Sequence, residues 1–362
     1  MNFSPLFKII PEPFGLDLSD GTLKVVKLGR RGKNLFLENF GERDLPSGLI
    51  KDGNIQSEET LAAVVKETLA NLNMGAFATK FVACSLPEQK TYIRTLELPS
   101  LEVDEMREAI QWEIEADIPL AFSDTNFDWE LIPSLKKQTK HLDVLVSVAP
   151  RALVDSYAGF LLKAGLTPFL FEPESVALAR CIMRQGAVEK PVLIVDFGKT
   201  NTSFIIYAGR GIRFTSSVKI SGDMMTKNIA RALNVDEKRA EELKKDVGLN
   251  REKDGRIFEA AIPLLTDLKE QMSEYIEFYA EHALHAHDEE PLISKILLCG
   301  GGAGLEGLEK YLSTALHIET VTANPWVNIL ESPLVETPEL PYKESIRYAT
   351  ALGLALVQYN DL

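Results

Sequence analysis

Cysteine is scarce in this chain, with three residues in 362, and the three stand far apart. Cys84, Cys181 and Cys299 have no metal-ligand spacing, and each lies in or beside an apolar run. They read as buried free thiols in a reducing compartment, not as a disulfide framework. No apolar run reaches the length of a membrane span. The first 13 residues carry one lysine and no signal-peptide core. Positive charge is in deficit: 39 Lys and Arg against 53 Asp and Glu give a net charge of −14. With no long basic patch, nucleic acid is not an expected partner. No Ser/His/Asp or Cys/His arrangement suggests nucleophilic catalysis. A soluble cytoplasmic protein is expected, reaching a membrane only through a partner.

What is present is globular and large. Hydrophobic residues at 45% and charged residues at 25% exclude a disordered chain. The length calls for two or more domains. One hairpin pattern occurs twice, half the chain apart. The first copy is Phe14-Gly15-Leu16-Asp17-Leu18-Ser19-Asp20-Gly21-Thr22-Leu23-Lys24-Val25-Val26. The second is Leu193-Ile194-Val195-Asp196-Phe197-Gly198-Lys199-Thr200-Asn201-Thr202-Ser203-Phe204-Ile205-Ile206. Each is an apolar strand with an Asp near its end, a turn of small residues and a returning strand. Small residues let backbone N–H groups approach an anion. The Asp places a carboxylate where a phosphate-bound Mg²⁺ would sit. Two such turns face to face would grip a nucleotide from both sides.

Between the copies the texture changes. Ser57 can cap a helix to about Asn73, and Phe81–Leu86 reads as a buried strand. Strands over Tyr92–Leu98, Phe127–Ile132 and Leu142–Val148 then alternate with helices over Glu102–Ile118 and Ala152–Ala164. Lys136 to Lys140 form a basic hairpin tip. After the second hairpin, Gly222 opens a helix and Asp236 caps the next. A long helix runs over Phe258–Leu284, and Lys295–Cys299 is a strand leading into Gly300-Gly301-Gly302. Glu331–Lys343, with three prolines, reads as a linker, and Ser345–Gln358 as a closing helix. His282 and His285 share a helix face but His287 falls off it, so this group reads as a polar helix end and not a metal site. Trp112 and Trp129 read as core or interface aromatics.

The ordered set of hairpin with Asp, inserted module, Glu-Pro helix start, second hairpin with Asp and Gly-rich turn resembles the actin-like ATPase superfamily over nearly the whole chain. Leu96-Glu97-Leu98-Pro99, the run from Trp112 to Leu120 and Phe171-Glu172-Pro173 resemble the PilM family of type IV pilus assembly within the FtsA/PilM group. The resemblance implies an α/β, actin-like (ribonuclease H-like) two-domain ATPase fold with an inserted α+β subdomain. Its parts are expected at 1–87 (first domain), 88–168 (interaction subdomain) and 169–187 (return to the first domain). The second domain is expected at 188–330 with a helical nucleotide-flanking subdomain, and the linker and closing helix at 331–362.

The resemblance also implies ATP and Mg²⁺ as ligands. Asp17 with Ser19, Asp20, Gly21, Thr22 and Lys24 would form the first phosphate loop. Asp196 with Gly198, Lys199, Thr200, Asn201 and Thr202 would form the second, and Asp17 and Asp196 would hold Mg²⁺ through bound water. Glu172 would orient Mg²⁺-bound water, with Asp196 as the second catalytic candidate. Gly222 and Asp223 lie beside the nucleotide in this correspondence. Glu241 and Lys244 flank the adenosine, and Gly300, Gly301 and Gly302 form its turn. Ser19 and Asp20 depart from the group's Gly followed by Ser or Thr; a carboxylate there could bind Mg²⁺ or repel the triphosphate.

The implied function is an ATP-binding scaffold of type IV pilus or related type II secretion assembly, with slow or absent hydrolysis. Its implied partner is the N-terminal cytoplasmic peptide of a PilN-type inner-membrane protein; a pilus motor ATPase, platform proteins and self-association are further expectations. The alternatives are an FtsA-like division filament, for which no lipid-binding tail is visible, and a small-molecule kinase of the same fold.

Overall fold

The computed structural model describes residues 12–72, 75–99, 103–118, 120–133, 141–184, 188–282, 292–330 and 337–359. The basic tip 136–140, His285, His287 and residues 331–336 of the Pro-rich stretch lie outside the described residues.

The first lobe opens with β1 (Phe14–Leu18), β2 (Thr22–Arg31) and β3 (Asn34–Asp44). A short hairpin of β4 (Ile50–Lys51) and β5 (Asn54–Ile55) leads to α1 (Glu58–Ala70). Ser57 caps α1 by accepting the Thr60 N–H, as its place before Glu58 and Glu59 predicts. β6 (Phe81–Leu86) then enters the sheet parallel to β1. The inserted segment follows, with β7 (Tyr92–Pro99), α2 (Val103–Asp117), β8 (Thr125–Ile132) and β9 (His141–Pro150). The chain returns through α3 (Arg151–Lys163), β10 (Thr167–Pro173) and α4 (Glu174–Ile182).

The second lobe repeats the first. β11 (Val188–Phe197), β12 (Thr202–Gly209) and β13 (Gly211–Val218) form a meander. The helices α5 (Gly222–Leu233), α6 (Glu237–Val247) and α7 (Arg251–His282) come next, α7 being interrupted at Asp254. β14 (Lys295–Cys299), α8 (Leu308–Leu316) and β15 (Glu319–Thr322) complete it. The strand orders are β10-β6-β1-β2-β3 and β15-β14-β11-β12-β13. In both, the first three strands run parallel and the last two return antiparallel. The duplicated hairpin is therefore the centre of a duplicated sheet.

The Pro-rich stretch ends in a short helix, α9 (Tyr342–Ser345), and the closing helix α10 (Ala349–Leu356) is flanked by 3-10 turns. Every residue of α10 is buried, as its run of Ala, Leu and Gly requires. It lies on β1 and against α4. A Cβ on Gly15 of β1 would stand 2.1 Å from the Ala351 carbonyl oxygen. One on Gly353 would stand 1.8 Å from the Ala177 carbonyl oxygen of α4. Backbone meets backbone at both places.

The inserted segment has two apolar sheet faces and uses both. Leu96, Leu98, Val144, Val146 and Val148 pack under Met106, Ile110 and Ile114 of α2. On the opposite face Ile93, Ile132 and Leu145 join the large core that contains Leu178 and Ile182 of α4 and Ile206 and Ile212 of the second lobe. β7 adds to the edge of β13 through one registered pair, Arg94 with Phe214. A segment covalently inserted in the first lobe thus extends the sheet of the second. The helix α3, expected inside the inserted subdomain, belongs elsewhere: its buried Leu153, Tyr157, Phe160 and Leu161 pack with Leu61 and Val65 of α1. Trp129 packs at the margin of the α2 core, whereas Trp112 is 74% exposed.

The backbone contacts at the two glycines generate a stability prediction. Gly353→Ala should lower the unfolding free energy by about 2–4 kcal/mol, because the neighbour is a carbonyl and not a flexible side chain. Gly304→Ala, with nothing within 4 Å, should stay near wild type. Urea midpoints measure both; equal midpoints would show that α4 and α10 can part without penalty.

Candidate functional site

The two hairpins meet across one cleft. β1 pairs with β2 so that Asp17 stands opposite Lys24, and β11 pairs with β12 so that Asp196 stands opposite Ser203. Residues opposite each other in an antiparallel pair share a face. All four side chains therefore line one cavity of about 60 Å³, together with Ser19, Glu174, Lys199, Thr200, Asn201 and Gly300. Lys24 Nζ lies 3.4 Å from Asp17 Oδ2 and 3.2 Å from Thr22 Oγ1. Ser85 of β6 donates its hydroxyl to Asp17 Oδ1 at 3.3 Å.

The turns are closed by their own backbone. The Ser19 N–H donates to the Thr22 carbonyl, and the Gly198 N–H to the Asn201 carbonyl. Gly300, at φ +77°, lets the chain turn where a Cβ would lie 2.2 Å from Asp196 Oδ1. Gly301 and Gly302 continue this turn outside the cavity lining. From the second turn a chain of contacts runs into the helices. Gly222 and Asp223 donate their N–H groups to the carbonyls of Gly198 and Lys199. Lys244 Nζ reaches the Gly222 carbonyl at 3.1 Å, pairs with Glu241 and meets the Thr226 hydroxyl. Burial raises the Asp223 carboxyl against the pull of Lys199 and Lys244. At Glu241 burial is outweighed by the hydrogen bonds from Lys244 and Thr226, and the carboxyl is lowered.

Three sequence expectations change on this geometry. Glu172 does not line the cleft. It is 7% exposed and held by both terminal nitrogens of Arg180, which also donates to the Gly353 carbonyl. The carboxylate that lines the cleft is Glu174, because β10 continues through Pro173 and α4 begins only after it. Asp20 does not point at the cleft either: its two oxygens accept the N–H groups of Asp52 and Gly53 at 2.8 and 2.9 Å. It ties down the β4–β5 turn, whose Gly53 carbonyl takes the Tyr157 hydroxyl. Thr202 turns inward to the Ile220 carbonyl, and its neighbour Ser203 faces the cleft.

The cleft is rich in carboxyl groups. Burial, then Asp17 and Asp196, push the Glu174 carboxyl well above the ordinary carboxylate range. Burial and Asp17 raise Asp196 to about 6, against Lys24. The enclosed space is well under the roughly 300–1,000 Å³ of ordinary ligand sites, so a nucleotide requires the lobes to part. Two exposed ion pairs span the lobes, Lys199 with Asp44 at 3.4 Å and Lys219 with Asp52 at 3.2 Å. Such pairs are worth little in water; beneath them the lobes share the large core that holds Val26, Leu28 and Leu178 together with Phe204 and Ile206. Glu97, His141 and Asp143 form another carboxylate and imidazole group on β7 and β9, where Asp143 is paired with Arg213.

The family model for type IV pilus assembly protein PilM matches residues 15–359, and the chain belongs to that family. Among solved structures it is similar to the PilM-PilN type IV pilus biogenesis complex, 26% identical with a TM-score of 0.80 over 96% of this chain and 98% of that one. It is similar in fold to MreB 5 of Spiroplasma citri bound to AMPPNP, 13% identical with a TM-score of 0.54 over 96% of each chain. The architecture is the actin-like ATPase fold. Cell division protein FtsA of Streptococcus pneumoniae serotype 2 (strain D39 / NCTC 7466) is a distant relative, 20% identical over 254 residues. That match covers 65% of this chain and 55% of FtsA.

Two predictions follow from the carboxylates. Because the folded pKa of Asp196 lies above its unfolded value, the folded state holds more protons between about pH 4 and 6, and stability falls as pH rises through that window. Asp196→Asn should therefore be more stable than wild type at pH 7, by about 1–3 kcal/mol, with the gap closing toward pH 4. Thermal melts across pH measure it, and a gap that grows in acid would refute the sign. Asp20→Ser should lower stability by about 1–2 kcal/mol through the freed Asp52 and Gly53 N–H groups. A rise in nucleotide affinity without loss of stability would return Asp20 to the phosphate loop.

Proposed function

We propose that this PilM-family chain is a nucleotide-responsive scaffold of type IV pilus assembly. It would take up ATP with Mg²⁺ in the cleft and capture the N-terminal cytoplasmic segment of a PilN-type inner-membrane protein. The observation that carries the reading is the likeness of nearly the whole chain to the PilM-PilN complex. Beside it stands the convergence of Asp17, Glu174 and Asp196 on one cleft between two Gly-containing turns. The AMPPNP-bound structure of similar fold supports a nucleotide there. Asp17 and Asp196 would hold the Mg²⁺ through its water shell, which suits a hard cation that keeps its waters. The metal would supply charge neutralisation at the phosphates. Ser19, Thr22, Thr200 and the turn amides would orient the anion, and Glu174 would sit where a water beside it could be held.

For the partner segment the groove between the inserted subdomain and the second lobe fits best. It has a volume of about 720 Å³. Tyr92, Leu96, Ile114, Val146, Phe214 and Phe278 supply apolar wall. Tyr92 is 41% and Phe278 42% exposed, large apolar surface without cover in the free chain. β7 and β13 share one registered pair, and Thr95 Oγ1 donates to the Ile212 carbonyl on one side of it; an extended segment could lie along the strand edges on the other. No helix among the described residues is long and apolar enough to cross a membrane. A net charge of −14 disfavours an anionic leaflet, so the membrane would be reached through the partner, at its inner face.

The test is calorimetry of the full chain with ATP·Mg²⁺ and with the synthetic segment. Both should bind, with phosphate release slow against nucleotide exchange. Tyr92→Ala with Phe278→Ala should weaken the segment by about tenfold or more, since exposed aromatic anchors carry such contacts, and lower the melting temperature only slightly, through the lost stacking of Phe278 on Phe214 and His282. Unaltered segment affinity would put the partner elsewhere. Rapid sustained hydrolysis would make the chain an enzyme first.

A further inference from the structure

A row of alternating charge crosses the first sheet and ends on the segment before the closing helix. Asp17 of β1 stands opposite Lys24 of β2, and Lys24 stands opposite Glu42 of β3. Residues in such register share a face. Glu42 is in turn paired with Arg347, from the 3-10 turn Ile346–Tyr348 that precedes α10. Arg347 also lines the cleft, with Asp17, Ser19 and Lys24. It thus borders both Glu42 and the space between the two hairpins.

The cations that line the cleft are Lys24, Lys199 and Arg347. Each already rests on a carboxylate: Asp17, Asp44 and Glu42 respectively. Lys24 is engaged inside the cleft. Lys199 belongs to the second hairpin and pairs across the lobes, so it moves off when they part. The pair of Arg347 and Glu42 lies wholly on the first lobe and is built to separate. The Arg347 side chain is 40% exposed and that of Glu42 20%, and pairs open to water are worth little. Glu42 keeps a donor when the guanidinium leaves, because the Tyr348 hydroxyl lies 3.4 Å from its Oε2. Tyr348 is itself fixed, buried with its ring edge-on to Phe40. A guanidinium can meet a phosphate at two points, which makes phosphate the stronger competitor.

We propose that Arg347 is a phosphate ligand held in reserve by Glu42: without nucleotide the guanidinium rests on Glu42, and on binding it turns to a phosphate beside Asp17 and Lys24. This role rests on the reading of the cleft as a nucleotide site. It gives the two partners opposite effects. Glu42 competes with the phosphate for the guanidinium and so lowers affinity, whereas Arg347 raises it. A pair that only braced the turn before α10 would give both the same sign, since either loss loosens that turn.

The test is calorimetric titration with ATP·Mg²⁺ of the full chain as wild type, Arg347→Gln, Glu42→Gln and the double variant. Arg347→Gln should weaken binding by about tenfold or more, as the loss of a charge-assisted hydrogen bond does. Arg347→Lys, which keeps the charge without the fork, should fall between it and wild type. Glu42→Gln should tighten binding by about two- to fivefold, the worth of a partly exposed pair. With Arg347→Gln already present, Glu42→Gln should change little, because the two act through one contact. If both single variants weaken the nucleotide, or Arg347→Gln leaves it unchanged, the reserve role is overturned and the reading of the cleft stands. If ATP·Mg²⁺ fails to bind wild type at all, the reading of the cleft falls and the role of Arg347 falls with it. Should Arg347→Gln not fold, Glu42→Gln decides: tighter binding supports the role, and weaker or equal binding overturns it.

Discussion

Two glycines set the separation of the parts that matter most. At Gly353 the closing helix touches the backbone of α4, and at Gly15 the strand β1 touches the backbone of α10. No side chain intervenes at either point, so α4, α10 and β1 form one rigid stack. Asp17 sits near the end of β1 and Glu174 at the start of α4. Thr350 and Ala349 of α10 line the same cavity. The distance between the two carboxylates is thus a consequence of how closely three backbones approach. The pair of Glu172 and Arg180 reinforces the stack, since Arg180 also holds the Gly353 carbonyl. A buried two-point pair is better regarded as a locator than as a source of stability.

The hairpins were legible because their information is local. A strand, an Asp near its end and a turn of small residues need no distant partner to be recognised. The equal sheet orders show that the repeat extends to five strands in each lobe. Sequence pattern misleads where the choice lies between adjacent residues. Glu172 and Glu174 flank one proline. The helix starts after Pro173, so the second Glu, in the first turn, faces the cleft while the first remains a strand residue. Arg180, placed to meet Glu172, was the available signal. Thr202 and Ser203 divide in the same way: strand alternation sends one inward and one to the cleft, and the register with Asp196 identifies which. Asp20 could not be resolved by pattern, because its partners are backbone N–H groups over thirty residues away.

The inserted subdomain shows the other limit. Its strands and α2 follow from alternation and period, but its attachment does not. One registered pair joins β7 to β13 across more than a hundred residues of sequence, and no local signal encodes a contact so small and so distant. Likewise α3 has an apolar face suited to any sheet or helix. Proximity in sequence points to the inserted strands, whereas α1 offers the complementary surface. Amphipathic elements declare that they have a buried face without saying against what.

These placements give the cleft its character. Its carboxylates are concentrated and shielded, and that arrangement costs stability. Asp196 and Glu174 are both held toward their neutral forms, chiefly by burial. Such a concentration is at odds with a purely structural interior, where an apolar set of the same size would serve better. It suits a place that receives a cation and an anion together, because each then relieves part of the other's penalty. The lobes around it are spanned by exposed ion pairs at their rim, while the rigid stack of α4, α10 and β1 lies beneath. Opening at the rim over a fixed floor would admit a ligand without disturbing Glu174.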